Sequence, residues 1–170
     1  MQGTYEFMSN QLLEAMERGV SYLQSPIDDL FSFYFTTQWA ATFSNKNFPN
    51  VEAIPLYFDS IRQCLSGNKE KRSWATHEII DPAKLKEDQY GQFLVSCKSF
   101  LRSWYLSLQA LEAEFQESHS QLQESKLESE SDAYTALFSI FALKGVTQLA
   151  ELVHSYLKAT QEAGQAAVEK

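Results

Sequence analysis

Residues 90–122 read YGQFLVSCKSFLRSWYLSLQALEAEFQESHSQL. Tyr90, Leu94, Cys97, Leu101, Trp104, Leu108, Leu111 and Phe115 recur there in steps of four and three, and the beat continues through Ser118 to Leu122. A repeat near 3.5 residues places these side chains along one edge of an α-helix. A half-buried strand would alternate at a period of two. The stretch therefore predicts a long helix zipped along an apolar seam. Its start is marked by Asp81-Pro82, a capping side chain followed by a proline that loses no hydrogen bond in the first turn.

The same logic works outward. After a polar break at 126–132, KLESESD, a last helix is expected from about Ala133 to Glu162, capped by Ser131 or Asp132. Its seam is Phe138, Ala142, Gly145, Leu149, Leu152 and Tyr156, again in fours and threes. Residues 163–170 are expected to fray as a C-terminal tail, leaving 1–162 as one helical domain. Towards the N-terminus, Leu12, Leu13, Met16, Val20 and Leu23 form a stripe on a first helix from about Tyr5 to Leu23, weakened at Gly19. Ser25-Pro26 starts a second helix that runs to about Ser44, with Asp28 and Asp29 at its positive end. Asn45 to Asn50 reads as a loop. A third helix is expected over Val51 to Leu65, with Pro55 in its first turn and Ser66-Gly67-Asn68 as its stop. Residues 68–80 read as an ordered loop or short helix pinned by Trp74.

The sum is an all-α fold, an elongated four- or five-helix bundle with a long C-terminal antiparallel helical hairpin. The composition agrees. The 170 residues are 44% hydrophobic, enough to build a core, and hold only 6 Gly and 4 Pro, too few turns for a many-stranded β fold. The seam helix spans roughly 40 residues, or about 60 Å. A compact domain of this size has a radius of gyration of roughly 15 Å, so a straight helix would overshoot it. Antiparallel pairing with the last helix resolves this most simply. A dimeric coiled coil, or a kink or earlier stop near the glutamates, are the other solutions.

The second helix differs from the rest. Ile27, Leu30, Phe31, Phe33, Tyr34, Phe35, Trp39, Ala40 and Phe43 spread over most of its circumference. A helix apolar nearly all round is buried nearly all round. Either it is the central helix of the bundle, or its outer aromatics meet a partner. Aromatic side chains dominate interface hot spots. The candidate partner-binding residues are accordingly Phe31, Phe33, Phe35, Trp39 and Phe43, with Trp74, Tyr105 and Phe115 beyond them.

Charge narrows the partners. The net charge is -8, which disfavours nucleic acid, because phosphate contacts dominate that affinity. Lys69, Lys71, Arg72, Lys84 and Lys86 are the only basic grouping and read as solvated. Glu112, Glu114, Glu117, Glu124, Glu128, Glu130 and Asp132 form a solvated acidic face or a docking surface for a basic partner. No basic region precedes an apolar run at the N-terminus, and no apolar run is read as reaching transmembrane length. Cys64 and Cys97 are expected as small core residues, without excluding a disulfide between them. A reducing, cytoplasmic setting is the default expectation.

Catalytic patterns are missing. There is no Gly-rich phosphate loop, no CxxC pair and no nucleophile elbow. His77-Glu78-Ile79-Ile80-Asp81 starts like a zinc-binding helix, but aspartate and then proline stand where the second histidine is needed. Glu151-Leu152-Val153-His154 is one half of a di-iron motif whose second half is lacking. Phe141-Ala142-Leu143-Lys144-Gly145 resembles the His-x-Leu-Lys-Gly motif of histidine phosphotransfer domains over five residues. Phenylalanine replaces the phosphorylated histidine, so that chemistry is absent. No cofactor, metal or small-molecule substrate is expected.

These readings point to a non-enzymatic protein-interaction module, an adaptor, chaperone or regulatory subunit, binding a protein partner or itself. An amphipathic coat on lipid or hydrophobic storage granules, as phasin-type proteins form, is the alternative. A ligand binder or enzyme with a cavity lined by Tyr22, Tyr34, Trp39, Tyr57, Trp104 and Tyr105 is the third.

Overall fold

A computed structural model describes residues 7–43, 92–125 and 131–168. Helices make up 89% of these residues and there are no strands among them, so the fold is all-α. The helices are α1 (Asn10–Arg18), α2 (Pro26–Phe43), α3 (Gln92–Glu124) and α4 (Asp132–Val168). The helix expected over Val51 to Leu65, the stretch 68–80 and the start at Asp81-Pro82 lie outside the described residues. The chain divides into two compact units, Met1–Arg102 and Ser103–Lys170.

In the first unit α1 is shorter than its apolar stripe implied. Ser9 caps it, its hydroxyl accepting from the Leu12 N–H at 3.0 Å. Gly19 does more than weaken the helix: it ends it, in the left-handed conformation at φ 62°. The Val20 N–H reaches back to the Ala15 carbonyl at 3.0 Å and the Gly19 N–H to Met16 at 3.2 Å. This is the paired closure that glycine permits at a helix end. Met16, Val20 and Leu23 are consequently exposed, whereas Leu13 is buried.

The start of α2 follows Ser25-Pro26 as the sequence indicated. Asp28 organises it. Its carboxylate accepts from the Ser25 N–H at 2.7 Å and the Ser25 hydroxyl at 3.0 Å. The Tyr22 hydroxyl lies 3.0 Å from both carboxylate oxygens, and the Ser9 hydroxyl donates to the same group. Asp28 is buried, as are Ser9 and Ser25. A third-position acid reaching back to its cap is the capping-box arrangement. Here it also ties the cap of α1 to the cap of α2.

Along α3 the seam is observed. Leu94, Cys97, Leu101, Trp104, Leu108, Leu111 and Phe115 are all buried. Tyr105, one position off it, is buried as well. The helix is 33 residues long, or about 50 Å.

In the second unit, α3 and α4 touch at several levels. Ser107 donates to Gln148 at 3.0 Å, Lys144 pairs with Glu114 at 2.5 Å, and Phe115 meets Phe141 and Phe138 at ring-centroid distances of 5.3 and 5.7 Å. His119 meets Tyr134 edge-on at 5.6 Å. The packed face of α4 takes in the expected seam, with Gly145 buried and Ala142 half-buried, and extends beyond it. Tyr134 and Phe141 are its buried aromatics, while Phe138, Leu149, Leu152 and Tyr156 are half-buried. Phe141 was outside the expected seam. The helix also continues to Val168, past Glu162 where fraying was expected.

Two stability changes follow. Asp28→Ala strands the Ser25 N–H and the Ser9 and Ser25 hydroxyls at a buried site, while the Tyr22 hydroxyl keeps Gln11 at 3.1 Å, and should lower unfolding stability by on the order of 3 kcal/mol, read from the urea midpoint. Gly19→Ala meets open space but keeps a positive φ, and should cost about 1 kcal/mol in the same assay.

Candidate interaction surfaces

The aromatic helix α2 is neither enclosed on all sides nor a continuous aromatic surface. Ile27, Leu30, Phe31, Tyr34, Phe35 and Gln38 are buried. At 100° per residue they fill one arc. The opposite arc carries Asp29, Phe33, Thr36 and Ala40, all exposed. The expectation of burial all round thus gives way to an ordinary inside and outside.

This sorts the partner-binding candidates. Phe31 and Phe35 lie inside, stacked on one another at 6.1 Å. Tyr105 and Phe115 on α3 are also buried. Those four rings serve packing, and the surface available to a partner does not include them. Phe33 stands out at 55% exposure. Trp39 is half-buried, with its ring edge-on to Phe7 at 6.0 Å. Phe43 closes α2, and Trp74 lies outside the described residues. Of the aromatics suggested for a ligand cavity, Tyr34, Trp104 and Tyr105 are buried, and Tyr22 is engaged with Asp28.

The surface that the sequence reading missed is on α4. Leu143, Val146, Val153 and Leu157 are exposed at 69%, 57%, 37% and 53%, with Ile140 beside them. Ala150 is exposed between them. They oppose the face that carries Tyr134 and Phe141. The signal was present: α4 holds two apolar stripes, and the sequence reading followed only one. One helix cannot bury both against one neighbour. The expectation that no segment reaches transmembrane length also fails here. Within Asp132–Gln165 an 18-residue window reaches a mean hydropathy of 1.5 with 11% of it buried, so by length and composition alone this helix could cross a membrane.

Chemistry-bearing groups are dispersed. Glu151 and His154 are exposed on α4. Among the described residues no three of His, Cys, Asp and Glu come together as a metal site. His77 and its neighbours lie outside them. His119 stacks on Phe115 at 5.6 Å. Within the phosphotransfer-like pentapeptide, Phe141 is buried and Lys144 holds Glu114. The acidic face includes that same Glu114, with Glu117 and Glu124 exposed. Cys97 is a free thiol, buried, its Sγ 3.7 Å from the Leu94 carbonyl. Burial pushes its pKa up to about 11. No protein-family model, curated protein or solved structure matches the chain.

A thiol held protonated is a poor nucleophile. In a Cys64→Ser variant, Cys97 should resist a thiol reagent at pH 8 and react at the free-cysteine rate once the chain is unfolded. The sign of the linkage is fixed by the upward shift. Stability contributed by the neutral thiol is complete below the unfolded pKa of 9.0 and is lost as pH rises towards about 11. Urea midpoints measured across that range should fall.

Proposed function

We propose that the chain is a non-enzymatic, cytoplasmic protein-interaction module, an adaptor, chaperone or regulatory subunit. One observation carries the reading: the outer face of α4 presents Leu143, Val146, Val153 and Leu157 to solvent at helical spacing. A contiguous exposed apolar face marks an interaction site. Phe33 on α2 is a second exposed anchor of the kind interfaces use.

In this reading the chain is an elongated helical bundle, and α3 and α4 are the arms of a long antiparallel hairpin. The contacts Ser107–Gln148, Glu114–Lys144 and His119–Tyr134 support that layout, since numbers rise on α3 as they fall on α4. The inner stripe of α4 holds the hairpin closed, which leaves the outer stripe for a partner.

A coat on lipid or granules is the second reading. The hydropathy of α4 favours it. Against a membrane span stands the pairing of α4 with an α3 that carries Glu112, Glu114 and Glu117. Charged groups on a neighbouring helix are costly within hydrocarbon.

The test uses the tagged full chain. It should retain a protein in stoichiometric amounts, either a foreign polypeptide or untagged chain. Leu143→Gln with Val153→Gln should reduce retention at least about tenfold, given the loss of two apolar contacts. Retention of no protein, or retention indifferent to this change, would defeat the reading. Flotation with neutral vesicles or polymer granules in place of protein capture would establish the coat.

A further inference from the structure

The helix α1 has nine residues, and isolated helices shorter than about 12–15 residues are marginal in water. Only Leu13 and Ala15 on it are buried. Every residue from Met16 to Ser21 is exposed. In contrast, α2 buries Ile27, Leu30, Phe31, Tyr34, Phe35 and Ala41. The helical state of α1 therefore depends on its docking, whereas α2 is anchored by its own apolar arc.

A hinge and a latch turn that difference into a device. The hinge is Gly19, in the left-handed conformation with no atom within 4 Å of where a Cβ would stand. Val20 and Ser21 beside it are exposed, so rotation at this point moves no packed side chain. The latch is the Ser9 hydroxyl. Its single proton goes to the buried carboxylate of Asp28, while its oxygen accepts from the Leu12 N–H at 3.0 Å. The atom that caps α1 is thus the atom that fastens it to α2. Gln11 adds a second tie, its side-chain oxygen 3.1 Å from the Tyr22 hydroxyl across the hinge.

The two ends of this contact differ in what they lose when it breaks. Asp28 keeps the Ser25 N–H, the Ser25 hydroxyl and the Tyr22 hydroxyl, and water can replace the fourth partner. The start of α2 therefore survives the separation. Without Asp28, Ser9 caps a helix too short to stand alone. We infer that α1 is a hinged arm that opens on Gly19 as one cooperative unit while α2 stays folded, with the Ser9–Asp28 hydrogen bond as its latch. Local opening of this kind starts from the elements with the least buried apolar surface. It uncovers Met8, Leu13 and Ala15, all buried in the closed arm, and parts the Phe7 ring from Trp39. The inference is independent of the role proposed for α4.

Native-state hydrogen exchange on the full chain tests it. The amides from Leu13 to Val20 should exchange together, and faster than those from Phe31 to Ala41. Ser9→Asp separates latching from capping. Aspartate caps a helix as well as serine does, but it sets a second carboxylate against Asp28 in the closed state alone, which shifts the population towards the open one. It should raise exchange over Leu13 to Val20 at least about tenfold, the loss of one hydrogen bond to a charged group, and leave Phe31 to Ala41 unchanged. Ser9→Thr, which keeps both bonds, should exchange like the wild type. Gln11→Ala removes only the second tie and should raise α1 exchange about threefold, which decides the matter if Ser9→Asp fails to fold. Equal exchange of α1 and α2 in the wild type would overturn the inference. So would a Ser9→Asp chain whose α1 is protected as before, or one whose α1 and α2 lose protection to the same degree.

Discussion

Burial of a ridge of side chains spaced by threes and fours is the constraint on which this structure depends. On α3 the ridge from Leu94 to Phe115 is buried without a gap. Each buried Leu is worth roughly 1.5–3 kcal/mol relative to exposure, and the two aromatic members contribute large areas as well. A helix of 33 residues with such a ridge must find something to cover it. The position of every ridge residue follows from helical geometry once the first is placed.

Polar groups in the first unit are organised by a different economy of space. Asp28 is a buried carboxylate that accepts from one N–H and from hydroxyls on Ser9, Tyr22 and Ser25. Burying a charge is tolerated when hydrogen bonds replace its water. The result is a polar knot that joins two helix caps while α2 turns its aromatic arc inward. It needs no catalytic role to account for its geometry. Cys97 likewise needs none: burial keeps its thiol protonated and places it among ridge residues.

The α4 helix shows what happens when a sequence carries more apolar surface than its neighbours can cover. Its inner face meets α3 through Phe141 and Phe138 on Phe115, with Glu114–Lys144 at the edge. Its outer face meets solvent. Exposure of scattered apolar residues is normal. Exposure of a regular heptad stripe is not, because the repeat has no purpose on an isolated surface. This contrast is why the outer stripe of α4, more than the aromatics of α2, supports an interaction role.

By itself the sequence determined the helical class, the start of α2 at Ser25-Pro26, the ridge of α3 and the polar break before α4. These are local decisions: side-chain spacing, a capping oxygen or a proline ring settles each within a turn or two. Other features were beyond that reach. Phe31 and Phe33 are equally apolar and two residues apart, yet one is buried and the other exposed. On α4 two stripes of similar hydrophobicity competed, and the packed face came to include Phe141 rather than follow the expected seam alone. Which of several greasy faces turns inward depends on the shape and position of the neighbouring helix. Only the tertiary structure supplies that neighbour.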